Sequence, residues 1–168
     1  MQVRPARAAD WQTLRELRLR ALADAPDAFS STLEEEASLP EQVWRQWAHG
    51  GPASVNFIAW EGGAAIGMVA IFAVANAPGR MHLVAMWVDP HHRRRGVAWA
   101  LVEQAVRWAQ DRHAREVVLW VSDHNTPAWE LYERIGFRPT GERQPLPSNP
   151  ALSESLLRLS LQRSTAGL

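Results

Sequence analysis

The sequence predicts an α/β fold: a mixed central sheet of about six to seven strands with helices on both faces. Three observations carry that expectation. Apolar residues recur with period 2 in some stretches and at helical spacing in others, which separates strands from amphipathic helices. Strand, helix and strand follow one another through the middle of the chain, an order that implies parallel or mixed pairing with helices packed on the sheet. The 168 residues show no internal repeat and no long linker, so one domain over residues 1–168 is expected, large enough to bury a core without staples. The order read from the chain is β-α-α-β-β-β-α-β-α-β-β.

Each element has a local reason. "QVRPAR" reads as a short first strand, and Asp10 as the cap of a helix with Trp11, Leu14, Leu17 and Ala21 on one stripe. "DAPDAFSSTLEEEASLP" is polar and breaker-rich, a loop or the start of a second helix. "PEQVWRQWAHG" is a short helix started by Pro40 and stopped by Gly50. "SVNFIAWEGGAAIGMVAIFAV" reads as two strands around a turn at Glu61-Gly62-Gly63, and "HLVAMWV" as another strand. Val97, Leu101, Val102, Ala105, Trp108 and Ala109 make a helical stripe. "EVVLWVS" is apolar almost throughout, as a strand covered on both faces would be. Pro127 suits a first helical turn and Gly136 its end, after which "FRPTGERQPL" and "SESLLRLSLQ" read as closing strands separated by "PLPSNP".

Composition removes several function classes. Basic and acidic residues number 18 each, which argues against a general nucleic-acid or anionic-membrane binder. All the basic residues are arginine, so lysine Schiff bases and the P-loop lysine are excluded. With no cysteine there is no thiolate nucleophile, disulfide or Cys-based metal site. "MQVRPARAADW" lacks an apolar signal core and no run reaches membrane-spanning length, so a cytoplasmic protein is expected. The nine tryptophans read first as packing residues.

One stretch concentrates charge: "VDPHHRRRGVAWALVEQAVRWA", with three arginines directly before Gly96 and a helix. A strand ends at Val88, Pro90 stops its pairing, and the helix start delivers unpaired N–H groups and the positive end of its dipole to one spot. Such a spot favours a phosphate or pyrophosphate; Gly96 and Ala98 allow close approach, and Arg93, Arg94 and Arg95 flank it. A solvated basic turn is the competing reading. His91 and His92 beside Asp89 raise the question of a metal, but adjacent loop side chains rarely converge, and no metal site is assigned.

The spacing Arg93-x-x-Gly96-x-Ala98, after Val-Asp-Pro, resembles the acyl-CoA pyrophosphate loop of the GNAT N-acetyltransferase superfamily. "LWVSDHNTPAWELYERIGF" resembles the second part of that family's signature, with Asn125, Ala128, Leu131, Tyr132, Gly136 and Phe137 in place. The likeness is close from about Val84 to Phe137 and loose over the whole order of elements. It implies acetyl-CoA as cosubstrate and a direct transfer of acetyl to an amine. It also implies that main-chain groups of the Met86-Trp87-Val88 strand hold the pantetheine arm, and that the loop through Val97 and Ala98 holds the pyrophosphate. Asn125, with Ala128 beside it, would contact the arm, although Asn is also a good helix cap; Thr126 is available for that task. Tyr132, the chain's one tyrosine, would be the general acid that protonates the departing thiolate; a core tyrosine is the alternative.

A base to take the amine proton is less clearly marked. Glu34, Glu35 and Glu36 sit in the substrate-side loop, with Glu35 put forward. By alternation His82, Val84, Met86 and Val88 share one sheet face, which would let His82 line the cleft. The acceptor is expected to be a small-molecule primary amine; a peptide or protein N-terminus and a non-catalytic acyl-CoA sensor are the alternatives. A pocket closed by "PLPSNP" would favour the small amine, an open groove the peptide. Dimers are frequent in the family, and exposed tryptophans would suit such an interface.

Overall fold

In a computed structural model, which describes residues 1–161, the elements run β1 (Gln2–Pro5), α1 (Trp11–Asp24), α2 (Leu33–Ala37), α3 (Glu41–His49), β2 (Ser54–Glu61), β3 (Ala64–Ala73), β4 (Arg80–Val88), α4 (Val97–Asp111), β5 (Glu116–Ser122), α5 (Thr126–Ile135), β6 (Arg138–Leu146) and β7 (Asn149–Ser160). The seven strands form one sheet in the order β1-β2-β3-β4-β5-β7-β6. Every neighbouring pair is antiparallel except β4 with β5, which α4 connects. The mixed sheet is therefore as the sequence predicts, with one extra short helix, α2, inside the breaker-rich stretch. There Thr32 and Glu35 cap each other's backbone and hold the turn. Gln162, the last residue of the predicted closing strand, lies outside the described residues.

Two apolar layers cover the sheet. On one face α4 and α5 pack through Val97, Leu101, Val102, Ala105 and Tyr132 onto Val69, Leu119 and Leu157. On the other, α1 packs through Leu14, Leu17 and Ala21 onto Ile58, Met68 and Trp87. β5 lies between β4 and β7 with Val117 and Leu119 in the first layer and Val118 buried toward the other, which is why it is apolar almost throughout. Fully burying a leucine such as Leu17 or Leu101 contributes roughly 1.5–3 kcal/mol, so these stripes secure the helices.

Two details differ from local expectation. Asp10 occupies the N-terminal position of α1 but does not cap it. Its carboxylate turns back to the Arg7 amide and pairs with Arg4 at 2.8 Å. Pro40 precedes α3 rather than forming its first turn.

Candidate active site

The opening that matters lies between β4 and β5. They pair only from Arg80, Met81 and His82 to Glu116, Val117 and Val118, and beyond that point β4 keeps β3 while β5 keeps β7. A wedge thus opens toward the carboxyl ends of the two parallel strands, the place where open α/β sheets take ligands.

At the end of β4 the chain turns sharply. Asp89 is buried, and its carboxylate receives the His91 amide at 2.8 Å, the His92 ring at 3.3 Å and an ion pair from Arg20. Burial works against its charge, but these donors outweigh it and hold the carboxyl below its ordinary value. Arg94 (φ 62°) and Gly96 (φ 81°) then take left-handed conformations that lead into α4. A Cβ at Gly96 would meet no other residue, so within the protein itself it is the backbone angle that favours glycine there. No side chain caps α4, and none of the amides from Arg94 to Trp99 donates to another group among the described residues. The result is a concave set of donors at a helix start, a site for a phosphate-type anion.

The three arginines behave differently from one another. Arg93 turns inward, donating Nε to the Val88 carbonyl at 3.1 Å and Nη2 to Asp24 at 2.6 Å. Its side chain braces the loop from within, unlike those of Arg94 and Arg95. Arg94 makes no ion pair among the described residues, and Arg95 only a long one, 3.7 Å, to Glu61. Asp24 also accepts the Trp87 indole N–H at 3.0 Å. That bond holds its carboxyl below the ordinary range, with burial opposing and Arg93 assisting. Val97 is buried and anchors the helix, while Ala98 packs at the edge of the same layer.

β4 carries a bulge that overturns a face assignment. Val84 pairs with Ala70 and Trp87 with Met68, so Ala85 and Met86 together oppose Val69, and Ala85 has φ 57°. The extra residue reverses the alternation. His82 and Val84 line the α1 side, whereas Met86 and Val88 pack on the α4 side, and the four do not share one face. Trp87 faces α1, with the Arg20 guanidinium 5.3 Å from its ring.

On the α1 side a cavity of about 540 Å³ runs up to the bulge, bounded by β3, β4, α1 and the segment before α2. Its lining is mostly aromatic and apolar: Phe29, Trp44, Trp47, Met68, Phe72 and Trp120. Among its polar groups, Arg18 and Glu36 form a bidentate pair at 2.7 and 3.0 Å, with Arg18 also lying 4.8 Å over Phe29. His82 stands 5.2 Å from Phe72, and burial lowers its pKa, so its ring stays neutral near pH 7. Glu154 of β7, 4% exposed, completes the wall. Burial raises the Glu154 carboxyl and nearby Asp123 adds to this, while a 2.6 Å bond from Gln144 opposes it.

Of the three glutamates considered as base, Glu35 is exposed and occupied in the cap with Thr32 and Ser31; it does not line the cavity. Glu36 does, but it is consumed by Arg18. Glu154 escaped notice because it reads as one polar residue in an edge-like strand. Its signal was its register, since it shares a face with buried Leu156 two positions on.

Past the wedge, Asn125 caps α5: its Oδ1 accepts the Ala128 amide at 3.3 Å. This corrects the expectation that Thr126 would cap and leave Asn125 wholly to a ligand. Tyr132 points inward, edge-on to Phe137 at 5.6 Å, and its hydroxyl has no partner among the described residues. Burial raises the phenol pKa, so it stays protonated throughout the working range.

The structure thus combines a splayed parallel pair, a helix start with free amide donors at its mouth and a cavity on the α1 side. The Acetyltransferase (GNAT) family model matches residues 11–137, and the chain belongs to that family. N-acetyltransferase 8 of Homo sapiens is 38% identical over 63 residues, covering 38% of this chain and 28% of that protein. The chain spans only part of the length of such curated relatives, 23% of one and 56% of another. The fold is shared with a GCN5-related N-acetyltransferase from Kribbella flavida (TM-score 0.79, 23% identity, 95% of this chain and 97% of that one). It is also shared with yncA from Salmonella typhimurium, solved with its cofactor acetyl-CoA (TM-score 0.78, 17% identity, 100% and 98%). No helix among the described residues is long and apolar enough to cross a membrane.

Proposed function

We propose that the protein is an acetyl-CoA-dependent N-acetyltransferase acting directly on the primary amine of a small molecule. The observation that carries this reading is the set of unpaired amides from Arg94 to Trp99 at the mouth of the β4–β5 wedge. These donors, with Arg94 and Arg95, suit the pyrophosphate of acetyl-CoA, and the unpaired edge of β4 at Met86 and Trp87 suits its amide-bearing arm. The Val88 carbonyl is already engaged by Arg93, so that residue would contribute through its amide. Acetyl-CoA supplies the activated acetyl thioester; the chain's residues align, protonate and deprotonate.

An amine arriving as ammonium must first lose a proton. Glu154 and neutral His82 line the cavity and are the groups able to accept it, directly or through water. The nitrogen lone pair then forms the C–N bond as the C–S bond breaks, the Tyr132 phenol gives its proton to the sulfur, and the second proton, shed by the acylated nitrogen, returns through solvent to restore the phenol. Holding both reactants in one wedge supplies much of the acceleration. The small-molecule reading is supported by a latch beside the cavity. The turn after β6 latches onto the segment before α2, with Ser148 donating to the Phe29 carbonyl at 2.6 Å and Asn149 to Asp27 at 3.3 Å. An open peptide groove would need that latch to part.

The test is calorimetric titration with acetyl-CoA and dephospho-CoA, together with thiol release in the presence of amines. Wild type binds acetyl-CoA, and Tyr132→Phe binds it equally while turnover falls about 10²–10⁴-fold. Absence of acetyl-CoA binding overturns the reading, and full turnover by Tyr132→Phe removes that residue as the acid.

A further inference from the structure

The cavity constrains the acceptor beyond its being an amine. Rings from Phe29, Trp44, Trp47, Phe72 and Trp120 face a volume of about 540 Å³. Flat apolar surface on several sides favours a flat apolar body, since an aromatic group buries roughly 150–250 Å² and gains further from edge and face contacts.

Charge narrows the choice further. Arg18 is the cationic side chain in the lining; its Nε and Nη2 are bound to Glu36, so the pair carries no net charge, while its buried Nη1 keeps one donor without a partner among the described residues. His82 is neutral near pH 7. Glu154 remains, with one oxygen taking the Gln144 amide and Oε2 accepting nothing among the described residues. Behind it Asp123 is occupied by Arg143 at 2.6 Å and Ser155 at 2.5 Å. When Glu154 is ionised the cavity holds one uncompensated negative charge and no uncompensated positive one. An acceptor carrying a carboxylate or phosphate would meet like charge beside Glu154, and such juxtaposition works against binding.

We infer that the acceptor is a monocationic arylalkyl-type amine without an anionic group, its ammonium received by Glu154 and its ring by the tryptophan and phenylalanine wall. This rests on the acetyl-transfer reading above, and it names the substrate class of the same site.

The experiment compares 2-phenylethylamine, ethylamine, spermidine, phenylalaninamide and phenylalanine as acceptors in a thiol-release assay. Quenching of tryptophan fluorescence by each amine is followed in parallel, because it needs no turnover. The expected result is kcat/KM for 2-phenylethylamine at least about 30-fold above ethylamine, from burial of the ring. Phenylalaninamide should exceed phenylalanine by about 100-fold or more, because the two differ mainly in one negative charge. Glu154→Gln should raise KM for 2-phenylethylamine while leaving the calorimetric affinity for acetyl-CoA unchanged. Equal use of phenylalanine, preference for spermidine, or no saturable quench by either aryl amine overturns the inference, and the acetyl-transfer reading survives if acetyl-CoA still binds. An unchanged KM in Glu154→Gln removes Glu154 as the ammonium's partner. Failure of acetyl-CoA to bind is a different outcome and brings down the reading on which the inference stands.

Discussion

The Arg18–Glu36 pair offers a quantitative check on how the cavity wall is held. The side chains are 15% and 6% exposed, and the contact is bidentate. Substituting Glu36→Leu leaves a guanidinium with little solvent and no partner. Breaking such a pair from one side costs about 3–5 kcal/mol, and the residual exposure of Arg18 places this case near 3. For a protein of this size each kcal/mol moves Tm by about 2–4 °C, so a fall of about 6–12 °C is expected. The double variant Arg18→Met/Glu36→Leu removes both charges and keeps an apolar stem against Phe29. It should return to within about 1 kcal/mol of wild type, because an apolar isostere of a buried pair is close to neutral. Urea unfolding of the four proteins, analysed as a double-mutant cycle, gives the coupling directly. The reasoning fails if Glu36→Leu costs under about 1 kcal/mol, or if the double variant loses the sum of the two single losses.

Two further outcomes follow from the geometry. Because burial raises the folded-state pKa of Glu154, its contribution to stability is fully present below the unfolded value of about 4.3 and is lost as pH rises through the folded value. Glu154→Gln should therefore unfold at higher urea than wild type at pH 7, with the gap closing as pH falls toward 4; a gap that widens in acid would contradict the burial argument. At the bulge, Ala85 holds φ 57°, so Ala85→Val should cost about 1–3 kcal/mol, whereas Ala85→Gly should change stability by under about 1. Thermal unfolding of both variants measures this, and tolerance of valine would mean the bulge is not held as described.

What could be read from the chain alone is what neighbours along it determine. β5, α4 and α5 lie where their patterns put them, because a continuous apolar run, a stripe at helical spacing and a glycine at the helix end act within a few residues. Gly136, at φ 119°, ends α5 for a reason visible in the sequence. The loop of unpaired amides before α4 was legible for the same cause: its donors come from one short segment and one helix start. Tertiary structure decided the rest. A bulge at Ala85 moved His82 and Val84 to the face opposite Met86 and Val88, and strict alternation cannot foresee a residue inserted against a partner strand. Asp24, 69 residues from Arg93, took that arginine inward. Glu35 went to a cap and Glu36 to Arg18, leaving the cavity to Glu154, brought there by the register of β7 against β5 and β6. Short-range pattern specifies which elements form, but which charge stays unpaired in a cavity depends on partners that only long-range pairing brings within reach.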